Sequence, residues 1–226
     1  MLSPLLAFAL LLSPALSPAH AASHELSLEL GSFGTRDDRF DLFHERSLLG
    51  TYGLRGGIAL HDRVSLLVGA HYASTGNEVW VEGGSNYDDD YEEEGASFRA
   101  AYRGAHLLVG PKLDIPVADW GFPYLTVQGA LFVGRVYLDE DPDDTENAGQ
   151  LAATGLNPGG VAAVGLDIVP VHLRGGRTGF GSHIEMGYGL VAATGFDQKP
   201  EVGEAAEIAR FGMGGFYLRA GVGVYF

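Results

Sequence analysis

From Phe216 to Phe226 every second residue is apolar: Phe216, Leu218, Ala220, Val222, Val224, Phe226. Tyr217, Arg219, Gly221, Gly223 and Tyr225 alternate with them. A period of two marks a β-strand with one greasy face and one small or polar face. Such a strand needs a neighbour for its backbone groups. Because the alternation runs to the last residue, it also calls for an apolar medium outside, since chain ends in water usually fray.

The rest of the chain supplies the neighbours. Residues 24–31 set Leu26, Leu28 and Leu30 against Glu25, Ser27 and Glu29. Residues 48–60 and 64–73 alternate in the same way around His61-Asp62-Arg63, the pattern of a hairpin. Further strands are expected at 98–115, 124–138, 160–169 and 179–192, and the last from about 210 to 226. Asn157-Pro158-Gly159 reads as a turn, and residues 194–209 as a long polar loop. That makes eight strands, with long polar connections after the odd-numbered ones and short connections after the even-numbered ones. An up-and-down closed sheet places these two kinds of connection at opposite ends.

The two faces differ in chemistry. One carries Leu, Val, Ile, Ala and Gly, with Tyr52, Tyr72, Tyr188, Phe216 and Phe226 near its ends. The other carries Glu29, Arg55, His71, Lys112, Gln128, Asp167, His183, Glu185 and Arg219 among many of the 34 glycines. In lipid every backbone group must pair within the protein, and a closed barrel achieves this. Eight strands leave room only for side chains inside. The expectation is an all-β, eight-stranded antiparallel up-and-down transmembrane β-barrel. Its interior network is expected to comprise Glu29, Arg55, His71, Lys112, Asp167, His183, Glu185 and Arg219. A lipocalin-like soluble barrel would reverse the faces.

Residues 1–21 read as an export signal. An apolar run at 5–12 precedes the small-x-small pattern Ala19-His20-Ala21. Residues 22–226 are then the barrel domain. With no cysteine in the chain, thiol chemistry and disulfides are excluded. A formal net charge of -15 argues against nucleic acid as a partner.

The whole mature stretch resembles the small outer-membrane β-barrel proteins of Gram-negative bacteria, of the OmpA and OmpX type. Arg219, Gly221, Val224 and Phe226 match the family's C-terminal assembly signal, polar-x-Gly-x-x-hydrophobic-x-aromatic. Val224 departs from the aromatic residue often found at its position. The resemblance implies residence in the cell outer membrane as a monomer. It also implies contact with outer-membrane lipid and lipopolysaccharide, and handling by the barrel assembly machinery.

Candidate chemistry is sparse. His183 and Glu185 share a face near Asp167 and Arg219, the makings of an acid–base pair or of a salt-bridged core. Ser182 beside His183 raises a lipid A deacylase, but adjacent strand residues point to opposite faces. His44 and Asp41 raise an acyltransferase site in the first loop. Acidic runs at 88–94 and 139–144 suit weak Ca²⁺ or Mg²⁺ binding by carboxylate oxygens, without EF-hand spacing. No other cofactor is expected. The function expected is non-enzymatic: an envelope-structural or surface-contact role through long acidic external loops. The alternatives are a lipid-modifying barrel enzyme and a narrow channel.

Overall fold

A computed structural model describes residues 24–38, 40, 43, 48–81, 96–115, 117, 121–140, 150–172, 178–197 and 207–226. The export signal, His44, Asp41 and the acidic runs at 88–94 and 141–144 lie outside these residues.

The strands are β1 (Glu25–Gly34), β2 (Leu48–His61), β3 (Val64–Val81), β4 (Ala96–Asp114), β5 (Gly121–Glu140), β6 (Gln150–His172), β7 (Gly179–Val191), β8 (Thr194–Asp197), β9 (Glu207–Phe211) and β10 (Gly215–Tyr225). Each of β1 to β7 pairs antiparallel with its neighbour in the chain. β10 closes the ring between β7 and β1. The fold is therefore an eight-stranded up-and-down barrel, with β8 and β9 as a short hairpin attached to β6.

The closure is in the expected place, with Leu26 opposite Val224 and Leu30 opposite Ala220. The stagger can be read from the register. Following partners from Thr154 through Arg135, Arg103, Ser74, Gly50, Ser32, Leu218 and Met186 leads back to β6 at Val164, ten residues further on. Such a stagger tilts the strands by roughly 40° to the barrel axis.

The facing of the strands decides between the two barrel types. Glu29, Arg55, His71, Lys112, Asp167, His183, Glu185 and Arg219 are all buried, at 2–4% exposure. Leu26, Leu28 and Leu30 on the alternate positions are 57–71% exposed. Charges point in and aliphatic side chains point out, the reverse of a lipocalin. At the long-loop ends Tyr52, Tyr72, Tyr188 and Phe216 face outward; at the other end Phe180 and Phe226 do. The ten steps from Phe216 to Phe226 cover about 25 Å of height at that tilt.

β3 runs past its expected end at residue 73, to Val81, and three further expectations need correction. β6 begins at Gln150, ten residues before the expected start, and runs straight through Asn157-Pro158-Gly159. The carbonyl of Pro158 accepts from Ala192 N at 2.9 Å. A strand residue aims its N–H and C=O to the same side, so the N–H that proline lacks falls where β7 has already ended. Asn157 is buried and donates through Nδ2 to the carbonyls of Ala192 (2.9 Å) and Phe211 (3.3 Å). It holds the two departing segments in place of ladder bonds.

The second correction concerns 194–209, expected as a polar loop. Its ends form the β8–β9 hairpin, and Phe196 and Phe211 turn into the barrel mouth, fully buried. The third concerns the interior, which is ionic only over the half near the short turns. The half near the long loops is aromatic.

Candidate functional site

The polar half centres on Arg55 of β2. Four carboxylates from three strands, β1, β6 and β7, converge on this guanidinium. Glu25 Oε1 lies 2.6 Å from its Nε, a close charge contact rather than an aligned hydrogen bond. Glu29 is 3.3 Å away, and Asp167 and Glu185 are each 3.5 Å away. Arg55 Nη1 also donates to the Tyr124 hydroxyl at 3.0 Å, which in turn donates to Glu185 at 3.0 Å. A buried cation with this many partners offsets the desolvation of each carboxylate.

Nearer the short turns, Lys112 Nζ donates to Glu25 at 3.0 Å, pairs with Asp114 at 3.3 Å and bonds Asp167. The Tyr225 hydroxyl donates to Asp167 at 3.4 Å. Towards the middle, Glu29 is held between two imidazoles: His71 on one oxygen and His183, at 2.7 Å, on the other. Arg219 lies 3.7 Å from Glu185 and 4.2 Å from the centre of the Tyr217 ring, whose hydroxyl donates to Glu185 at 2.9 Å.

Five carboxylates thus face three permanent cations, with two imidazoles on Glu29.

All eight expected interior residues meet in this one network. The sequence reading omitted Glu25, Asp114, Tyr124, Tyr217 and Tyr225. Glu25 and the three tyrosines occupy inward positions of their strands, so the period of two already placed them inside. Their roles depend on cross-strand register, which a period does not give.

The proposed acid–base pair does not form as a pair. His183 and Glu185 both point inward, but His183 bonds Glu29. Ser182 lies on the opposite face of the strand, among the outward residues.

Glycines make room for the rings. A Cβ on Gly221 would overlap the His183 ring and the Leu28 carbonyl. One on outward-facing Gly56 would meet only the Glu25 carbonyl, at 3.9 Å. Gly221→Val is expected to drive His183 off Glu29 and cost about 3 kcal/mol of folding free energy. Gly56→Val should cost under about 1 kcal/mol. Urea unfolding in lipid vesicles measures both. Gly221 belongs to the expected assembly signal, so its packing role is separable from any recognition role. Arg219 faces the core, while Val224 and Phe226 face outward.

Above the network His106 marks a change of medium. It is fully buried, and among the described residues neither ring nitrogen has a hydrogen-bond partner. Phe132 lies against it at 4.0 Å and Phe33 at 5.9 Å. Beyond it Phe40 and Phe43, from the segment after β1, cluster with Tyr102, Phe196 and Phe211, with neighbouring rings of the cluster 4.5–6.4 Å apart. The cap is tied down by backbone bonds, Arg36 N to Gly214 O (3.1 Å) and Phe43 N to Phe40 O (2.9 Å). Gly212 N also donates to Asp37 Oδ2 at 2.8 Å.

No protein-family profile matches the chain, and no curated protein does. Among solved structures it is similar to Ail, the attachment invasion locus protein of Yersinia pestis. That match has 11% identity and a TM-score of 0.37, covering 90% of this chain and 97% of the other. It is also similar to the N-terminal β-barrel domain of OprF from Pseudomonas aeruginosa. There the identity is 15% and the TM-score 0.34, with 90% and 98% covered. A likeness at this level carries no argument about activity or ligand. By its own strand number, order and facing, the chain has the architecture of the small eight-stranded barrels that its sequence resembles.

Proposed function

We propose that the protein is an outer-membrane barrel that works without catalysis, through its outer wall and its long-loop end, in envelope structure or surface contact. The observation that carries this reading is the filled interior. A charged network occupies one half and an aromatic cap the other, so the side chains that a pore or an internal active site would need are engaged with one another. Burial of His183 and Glu29 against each other, with Ser182 outside, supports the non-enzymatic choice over a lipid A deacylase. The apolar outer wall supports placement in a bilayer. The acidic runs at 88–94 and 139–144 would supply the contact surface, with divalent cations as bridges to lipopolysaccharide phosphates.

The test combines two measurements on the mature chain with one on cells. Refolded into vesicles, it should run as a compact, heat-sensitive band on gels and give no unitary current steps in planar bilayers. Lipid A mass spectra of cells with and without the gene should coincide. Discrete conductance steps would turn the reading to a channel, and a mass shift in lipid A would turn it to an enzyme.

A further inference from the structure

The outer wall carries one patch that neither the apolar band nor the interior explains. On the outward face of β3 to β6, Tyr72, Ala105, Val133 and Leu156 form one register row. The next row towards the long loops is Ser74, Arg103, Arg135 and Thr154. All four side chains of this second row are exposed. The change from apolar to polar occurs within a single step of two residues, about 7 Å along the strands.

Arg103 and Arg135 stand directly opposite each other. Directly opposed residues on one face hold their Cβ atoms about 5 Å apart, and like charges there repel. Both guanidiniums lie over the Tyr137 ring, at 5.5 and 4.9 Å from its centre. The ring gathers them rather than separating them. Among the described residues neither arginine makes an ion pair. In a chain with twice as many acidic as basic residues, 29 against 14, two juxtaposed outward cations call for an external anion.

We propose that Arg103 and Arg135, flanked by the Ser74 and Thr154 hydroxyls, bind the phosphate of a membrane lipid headgroup. Guanidinium forks match phosphate oxygens two at a time, and a hydroxyl on either side adds further donors. The apolar row beneath singles out a lipid over a free anion. Val133 and Leu156 continue into the outward band, where the lipid's chains would lie while its phosphate stays on the arginines. The proposal rests on the membrane reading above.

The experiment uses the mature chain refolded in vesicles, extracted in mild detergent with a mixture of phosphatidic acid and phosphatidylcholine. Retained lipid is counted by native mass spectrometry. The expected result is an enrichment of phosphatidic acid on the order of tenfold, from two arginines near an anionic surface. R103Q/R135Q should bring it within about twofold of parity, and R103K/R135K should keep part of it, since charge survives but the fork does not. The site is overturned if R103Q/R135Q retains the full enrichment. The lipid assignment is overturned if excess inorganic phosphate abolishes it, because a free anion then suffices. If the wild-type chain never gives the compact heat-sensitive band, the membrane reading fails and the site with it. A compact barrel without lipid preference sinks the site alone.

Discussion

Arg55→Met should cripple the barrel. The variant keeps most of the volume of the side chain and removes its charge. Glu25, Glu29, Asp167 and Glu185, each within 3.5 Å of the guanidinium, then surround an uncharged thioether. Breaking a buried ion pair from one side costs about 3–5 kcal/mol because the remaining charge is left uncompensated. Here four carboxylates lose a shared partner, so the upper end of that range is expected. Lys112 reaches only Glu25 and Asp167 of the four, and leaves Glu29 and Glu185 to the histidines and Arg219. Arg55→Lys should recover part of the loss, since a point charge cannot serve carboxylates on several sides as a planar fork does. Urea titration in phosphatidylcholine vesicles, followed by the heat-sensitive gel band, gives the numbers. An Arg55→Met barrel within about 1 kcal/mol of the parent would show that the network is ornamental and that packing alone holds the interior.

How much of this network could be read in advance follows from the kind of signal each part leaves. Facing is a local property of a strand. Glu29 lies inside because Leu28 and Leu30 lie outside, and the alternation shows this without any knowledge of the partner strand. Pairing is not local. That Arg55 meets Glu185 across 130 residues depends on a stagger of ten summed over the whole ring.

The start of β6 was hidden for a different reason. Asn157-Pro158-Gly159 has turn chemistry, and only the departure of β7 at that level lets a strand tolerate it. The part of the aromatic cap that comes from outside the eight barrel strands left no periodic signal. Phe40, Phe43 and Phe211 come from or border irregular segments, where an apolar residue is as often exposed as buried. A clue was available in their number: three phenylalanines bordering polar connections have no lipid to face, so the barrel mouth is the apolar place left to them.

Leu28→Lys separates lipid from water as the medium outside the barrel. Leu28 is 63% exposed on β1, opposite Val222. Val222 lies between Phe216, near the start of β10, and Phe226, just past its end, which puts Leu28 near mid-height of the outer band. In a bilayer a lysine there costs about 2–4 kcal/mol, falling to about 0–1 near the interfaces. Leu48, at the long-loop end of β2, is also exposed and lies above the tyrosine pair Tyr52 and Tyr72, so Leu48→Lys is the matched control. The expected result in vesicles is a loss of about 3 kcal/mol for Leu28→Lys and under about 1 kcal/mol for Leu48→Lys. The physics in water is different. An exposed leucine contributes little to a soluble fold, so both changes would fall within about 0.5 kcal/mol and improve solubility. Neither substitution touches the ionic network or the cap, because both side chains point away from the interior. A depth-dependent penalty therefore reports only on the medium, and equal small effects at the two positions would remove the bilayer from this account while leaving the barrel intact.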